Sequence, residues 1–459
     1  MTAKRMPFIP HTPQEIQEML SVLGAEQLDQ LFEEIPRELL CQDHLPLPPP
    51  LNEMDLTRLM RARAGQDPAL LCFAGAGAYD HHIPAAIWEI ATRGEYYSAY
   101  TPYQAEASQG TLQVLYEYQS MMAALLQMDV VNASLYDGAT ALAEAILMAI
   151  RSVPNLPRRV LLPDTLHPHY RQVVRGMLLG QEIATVAVPF DRQGGHLDMQ
   201  ALQAHPPGSF AALVLAQPNF FGTLEEVNEL TDWAHAQQAL LIAVVNPLAL
   251  GLLQAPGVWG ARGADITCGE GQPLGIPLSS GGPYFGFMGC KQSLLRQMPG
   301  RIAGRTLDKD QQEGFVLTLQ AREQHIRRAR ATSNICTNQG LMTVAATIYL
   351  SLLGPTGLQQ TALACHQNTM AMAARLQQLP GLRLLFDRPF FHEIVLQLPV
   401  DAHVVHAALE RQGICAGVPL GPYYPEMANM LLLCATEMRT ADEIEQLARA
   451  LGAQLLQEQ

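Results

Sequence analysis

From about residue 66 to residue 320 the chain alternates short apolar runs, rich in β-branched residues, with stretches whose apolar positions recur at helical spacing. The runs Val130–Leu135, Arg159–Leu162, Ala184–Val188, Ala211–Leu215 and Leu240–Val245 read as strands. Two more flank the loop after Asp265, the second running from Tyr284 to Met288. This alternation predicts an α/β architecture, a mainly parallel sheet covered by helices on both faces. A long helical region follows, about Asn338 to Leu379, broken at Gly354-Pro355. It leads to a smaller α+β pattern with strands Leu382–Phe386, Glu393–Leu398 and Leu431–Ala435. The helices there are Ala402–Gln412 and Ala441–Gln457, the latter capped by Thr440.

Residues 1–65 read as a helical arm. Thr12-Pro13-Gln14-Glu15 is a capping box with proline at the first helical position. Ile16, Leu20 and Leu23 follow at helical spacing, Gly24 closes the helix, and a second helix is expected from Ala25 to Glu34. Leu45-Pro46-Leu47-Pro48-Pro49-Pro50 then forces an extended segment, because proline fixes φ and lacks the amide donor. Such an arm cannot bury its apolar face alone, so it is expected to wrap over the large domain or a partner chain. The expected organisation is an arm (1–65), a large domain (66–330), and linking helices with a small C-terminal domain (331–459).

Composition sharpens this picture. Apolar residues make up 48% of the 459 positions and charged residues only 16%, against about 25% in an average soluble protein. That balance favours an obligate oligomer, with a well-filled core as the alternative. A net charge of −14 argues against nucleic acid as a partner, since phosphates call for clustered Lys and Arg. The eight cysteines show no metal or redox spacing and read as reduced packing residues of a cytoplasmic protein. No signal peptide is expected at the amino terminus, and no run of roughly 18 uncharged apolar residues suggests a membrane span.

Several stretches carry candidate chemistry. Asp137-Gly138-Ala139-Thr140 follows a strand and opens a helix, where free amides and the helix dipole can hold an anion; the alternative is a plain strand-to-helix turn. His167, in Leu166-His167-Pro168-His169, sits after another strand, placed to stack on a ring or simply to pack. A His-Pro-His pair lacks the third fixed ligand of a metal site, so no metal is expected. Gly75-Ala76-Gly77 fails as a dinucleotide fingerprint, because Asp80 stands where the third glycine belongs. Tyr100-Thr101-Pro102-Tyr103-Gln104 gathers hydroxyls, aromatics and an amide in one turn. His325-Ile326-Arg327-Arg328-Ala329-Arg330 is basic on an acidic protein, and its arginines suit bidentate pairing with a carboxylate or phosphate.

Three longer blocks are specific. Met6-Pro7-Phe8-Ile9-Pro10, Gly75–Pro84 with Tyr100–Gly110, and Leu319–Arg328 continuing through Ala331–Gln339 occur in this order. Together they resemble the subunit 1 (α) branch of the bacterial two-chain glycine decarboxylases, the P-proteins of the glycine cleavage system. The resemblance implies an aspartate-aminotransferase-like, type I pyridoxal-phosphate fold for the large domain. In that fold the loop Gly269–Pro277, followed by Gly281-Gly282-Pro283, carries the lysine that binds the cofactor aldehyde. This chain has three lysines, Lys4, Lys291 and Lys309, and none lies in the loop. Counting back from Pro277 and Pro283 puts Gln272 at the lysine position.

A second loss accompanies the first. Between Asp232 and Asp265 there is no Asp or Glu, so the strand ending at Asn246 offers no acid to a pyridine nitrogen. Asp137, Gly138, Ala139, Thr140, His167 and Gln272 are therefore read as a degenerate cofactor pocket. By resemblance, the partner subunit 2 binds pyridoxal phosphate, and this chain holds none covalently. Tyr100, Thr101, Tyr103, Gln104, Arg327, Arg328, Thr332, Ser333 and Asn334 are read as residues lent to the partner's active site, with interface salt bridges as the alternative. The implied reaction decarboxylates glycine and passes the aminomethyl group to the lipoyl arm of H-protein, within an α2β2 assembly. Two other readings stay open: a free-standing scaffold or regulator of glycine metabolism, and an independent decarboxylase using Lys291.

Overall fold

The computed structural model describes residues 10–40, 47–279 and 281–457. The block at 6–9, Leu45-Pro46 and Ser280 lie outside them. The chain divides into two compact units, residues 1–68 and 69–459.

In the first unit, helix α1 (Pro13–Leu23) starts on Thr12, whose hydroxyl accepts from the Glu15 amide while Glu15 accepts from the Thr12 amide. Gly24 ends it at φ +75°, a conformation that glycine adopts without Cβ strain. The expected second helix is only a 3-10 turn, Leu28–Phe32, and Pro36 keeps it from extending. A further helix, α2 (Glu53–Ala64), starts on Asn52, whose side chain accepts from the Asp55 amide.

The second unit is built on a seven-stranded sheet. Its strands are β1 (Val130–Val131), β2 (Arg159–Pro163), β3 (Ala184–Val188), β4 (Ala212–Gln217), β5 (Leu240–Val245), β6 (Ile266–Glu270) and β7 (Gly286–Cys290). They lie in the order β1-β7-β6-β5-β4-β2-β3. Strands β3, β2, β4, β5 and β6 pair in parallel, and β7 runs antiparallel between β6 and β1. Strand β1 is shorter than its apolar run, because Ser134 turns to φ +107° and leaves only a bridge from Leu135 to Gly286. Helices α3 (Gln109–Leu126), α4 (Gly138–Ser152), α5 (Pro168–Leu178) and α6 (Val227–Ala236) belong to this unit. Large apolar clusters fill its interior, one containing Trp259, Tyr118 and Phe285, another Leu142, Ile146 and Met288.

A hairpin of β8 (Ile302–Leu307) and β9 (Glu313–Thr318) precedes helix α7 (Gly340–Leu376), bent at Gly354. The chain from Gly340 to Ala374 carries no charge, and the helix is long and apolar enough to cross a membrane. The expectation that no stretch reaches that length is corrected here. Part of the helix, including Met342–Thr347, Leu358, Cys365, Met372 and Leu376, is buried in the protein core, and Thr, Gln and Asn interrupt its apolar positions so that no unbroken apolar run marks it in the sequence. The small sheet, β10 (Arg383–Leu384), β11 (Glu393–Gln397), β12 (Val418–Pro419) and β13 (Met430–Cys434), is antiparallel in the order β10-β11-β13-β12. It packs with helices α8 (Ala402–Glu410) and α9 (Ala441–Gln457).

Candidate functional site

Chain order reverses in the sheet between β2 and β4, and ligand clefts of open α/β sheets form at such switch points, beyond the carboxyl ends of the strands. A cleft opens there, lined by His167 after β2, Asn219 and Phe220 after β4, Asn246 after β5, and Glu270 at the end of β6. Glu393 of the small sheet and Gly77 and Tyr79 of the Gly75–Pro84 block complete it.

Glu270 decides what the cleft can hold. Its Oε2 accepts from the Gly138 amide at 3.0 Å, and its Oε1 accepts from the amides of Gln272 and Phe285, each at 3.2 Å. A carboxyl group of the chain itself thus sits on the amino terminus of α4, the kind of place where an external anion can be held. Asp137 caps the same helix, accepting from the Thr140 amide at 2.7 Å, and Thr140 returns a bond to Asp137. Space is short as well. A Cβ on Gly138 would lie 2.1 Å from the Tyr170 hydroxyl and 2.7 Å from the Glu270 nitrogen. Burial pushes the Glu270 carboxyl up to about 8, with its amide partners pulling the other way.

Gln272 is 1% exposed and fully engaged. Its Oε1 accepts from the Tyr79 amide at 2.9 Å, and its Nε2 donates to the carbonyls of Tyr79 and Ile276 at 2.9 and 2.8 Å. The glycines of the Gly75–Gly77 stretch also find their reason here. Glu393 accepts from the Ala76 amide at 2.7 Å and from the Tyr79 hydroxyl at 2.9 Å. A Cβ on Gly75 would come within 2.4 Å of that carboxylate, so only glycine fits. Burial raises the Glu393 carboxyl to about 7.

His167 faces the cleft as a neutral ring, its basicity lowered by burial to about 4. Its Nδ1 accepts from the His169 amide at 3.1 Å, which leaves Nε2 protonated to donate to the Ala76 carbonyl at 2.7 Å. Asn246 anchors the next turn by accepting from the Leu248 amide at 2.9 Å. Lys291 lies elsewhere, paired with Asp265 at 2.7 Å at the opposite end of β6.

The tyrosine and arginine blocks form a second face. Tyr103 packs against His325 with ring centroids 5.2 Å apart, and Tyr100 is 85% exposed. Arg327, Arg328 and Arg330 are exposed and form no ion pair among the described residues. Arg328 adopts φ +51° and ψ −124°, a sparsely populated conformation for a residue with a Cβ. Thr101, Thr332 and Ser333 are half-buried, and Gln104 and Asn334 are exposed. Ser333 accepts from the Ile335 amide at 3.0 Å.

The family model of the glycine cleavage system P-protein matches residues 6–451. The probable glycine dehydrogenase (decarboxylating) subunit 1 of Nitrosomonas europaea is 59% identical, over 97% of this chain and 98% of that protein.

The chain belongs to the glycine cleavage system P-protein family.

A crystal structure of a P-protein glycine decarboxylase in inhibitor-bound form superposes with a TM-score of 0.85 at 40% identity, covering 98% of this chain and all of that one. A C-DES variant with glycine covalently linked to its PLP cofactor shares the fold alone, with a TM-score of 0.61 at 16% identity over 85% of this chain and 98% of that one. This P-protein chain thus has the aspartate-aminotransferase-like fold expected of it. Its cleft does not fit pyridoxal phosphate. The loop offers no amine, Asn246 no acid, and the Glu270 carboxyl already takes the Gly138 amide that would face an anion.

Sequence reading missed both carboxylates. Glu270 stands in plain view two residues before Gln272, but only the fold carries it to Gly138. Glu393 lies 317 positions from Ala76. A third group also escaped notice: Glu437 accepts from His81 Nδ1 at 2.8 Å and from Cys365 Sγ at 3.1 Å. These three could hold a metal by composition, but the separations are those of hydrogen bonds, shorter than between ligands spread around a tetrahedral ion.

Proposed function

We propose that this chain is the lysine-less subunit of a two-chain glycine decarboxylase, completing an active site whose cofactor is held by subunit 2. The observation that carries this reading is Gln272, an amide spent on the backbone of Tyr79 and Ile276 at the position where the resemblance expects an amine. An amide forms no imine, and Glu270 keeps the phosphate place occupied. Pyridoxal phosphate on the partner supplies the electron sink for loss of the glycine carboxyl group as CO2. The aminomethyl group then passes to the lipoyl arm of H-protein.

This chain's part is to bind, orient and exclude water. Tyr100, Tyr103 and Gln104 offer hydroxyl and amide groups on an exposed turn, and Arg327 and Arg328, without an ion pair among the described residues, offer charge to a carboxylate or phosphate brought by the partner. Thr101, Thr332, Ser333 and Asn334 complete the same lent face. Closing such a face over a site expels water and strengthens the electrostatics inside. An α2β2 assembly of cytoplasmic subunits fits this division of labour.

The test is to purify the chain alone and with subunit 2, then follow cofactor absorbance and glycine-dependent CO2 exchange. Exchange should need both chains, with cofactor reducible onto subunit 2 only. Cofactor trapped by borohydride on this chain by itself would overturn the reading. A scaffold without a catalytic contribution would instead leave turnover unchanged in Tyr103→Phe and Arg327→Ala complexes that still assemble.

A further inference from the structure

The turn Tyr100–Gln104 and the segment Cys336–Asn338 are brought together around a residue that neither contains. Arg301, at the entry to β8, is 3% exposed. Its Nη1 donates to Thr337 Oγ1 and Asn338 Oδ1, both at 3.1 Å. Its Nη2 donates to the Cys336 carbonyl at 2.6 Å and to the Tyr103 hydroxyl at 3.4 Å. The guanidinium carbon lies 5.5 Å from the centroid of the Tyr103 ring. Asn338 extends the tie to the sheet edge, donating to the Ala133 carbonyl at 2.9 Å, while the Gln339 amide donates to Ser134 at 3.1 Å.

Stability alone does not account for this cation. The nearest carboxylate oxygen, Glu323 Oε2, is 3.9 Å from Nε, and among the described residues neither Arg301 Nε nor Glu323 Oε1 has a hydrogen-bond partner. Desolvating both members of this buried, loosely spaced ion pair is costly, and apolar side chains of similar volume often replace such pairs without loss. What an apolar residue cannot supply is a planar fork with donors at fixed angles. That fork reaches two stretches more than 200 positions apart in sequence, the tyrosine turn and the segment entering α7.

We propose that Arg301 is a positioning residue, whose guanidinium fork holds Tyr103 and the Thr337–Asn338 turn at one fixed spacing on the face lent to the joint active site. The proposal rests on the reading given under the proposed function. Arg301 touches neither substrate nor cofactor; it acts through Tyr103 and Asn338.

The experiment reconstitutes Arg301→Lys, Tyr103→Phe and the double variant with subunit 2. It measures melting temperature, affinity for the partner, and kcat and KM for glycine-dependent CO2 exchange. Lysine keeps the charge and loses the fork. The expected result for Arg301→Lys is near-native assembly, an unchanged KM, and kcat lowered about 10- to 100-fold, as small misplacements near a reacting centre do. Tyr103→Phe added to Arg301→Lys should cost little more, because the two act as one unit. Thr337→Val, which removes one acceptor of the fork from a half-buried site, repeats the test if Arg301→Lys does not fold, and its kcat should also fall. Native kcat in the folded variant, or losses that multiply as for independent sites, would overturn the role of Arg301 alone. Exchange by subunit 2 that proceeds equally well without this chain would remove the underlying reading and the role with it.

Discussion

Gln272 grips the peptide of Tyr79 from both sides, accepting from its amide and donating to its carbonyl, each at 2.9 Å. The position at which the fold family's cofactor lysine is expected has become a brace between the β6 loop and the Gly75–Pro84 block. Replacing Gln272 by Lys removes the acceptor for the Tyr79 amide and buries an ammonium group. The expected cost is about 2–4 kcal/mol, read as a lower midpoint in urea. The isolated variant should still yield no borohydride-fixed pyridoxal, because Glu270 keeps the phosphate place.

Glu270 on the Gly138 amide gives the next expectation. In Glu270→Ala three amides lose their acceptor, at about 1–3 kcal/mol for each that stays dry. Inorganic phosphate at constant ionic strength should raise the melting temperature of this variant and leave the native chain unaffected. Equal responses from both proteins would contradict the picture of a self-filled cradle.

Glu270 and Glu393 together set a pH dependence. Both carboxyls are raised above their ordinary value of 4.5, to about 8 and about 7, by burial. A raised folded value means the native state favours the proton. Their contribution is full below about pH 4.5 and is lost as pH rises through 7 to 8. Melting curves should therefore show Glu393→Gln gaining on the native protein between pH 5 and pH 9. A constant difference across that range would refute the assignment.

The exposed arginines Arg327 and Arg328 bear on assembly. Arg327→Glu and Arg328→Glu should leave the lone chain's stability within about 0.5 kcal/mol, since both side chains are exposed and bond to nothing described. Affinity for subunit 2 should fall at least tenfold, about 1.4 kcal/mol, with the loss shrinking as salt rises. Titration calorimetry of the native and variant chains at two ionic strengths measures it.

The sequence by itself determined the layered α/β plan, the bent helix at Gly354-Pro355 and the absence of an amine between Gly269 and Pro283. Each follows from local information: period-two and helical spacing, proline's missing donor, or plain residue identity. Only the tertiary structure decided how the cleft and the second face are braced, because Glu270 on Gly138, Glu393 on Ala76 and the fork of Arg301 join residues 132, 317 and up to 198 positions apart. Burial, which turns these polar groups from surface residues into fixed braces, is a property of the packed fold and leaves no periodic mark on the chain.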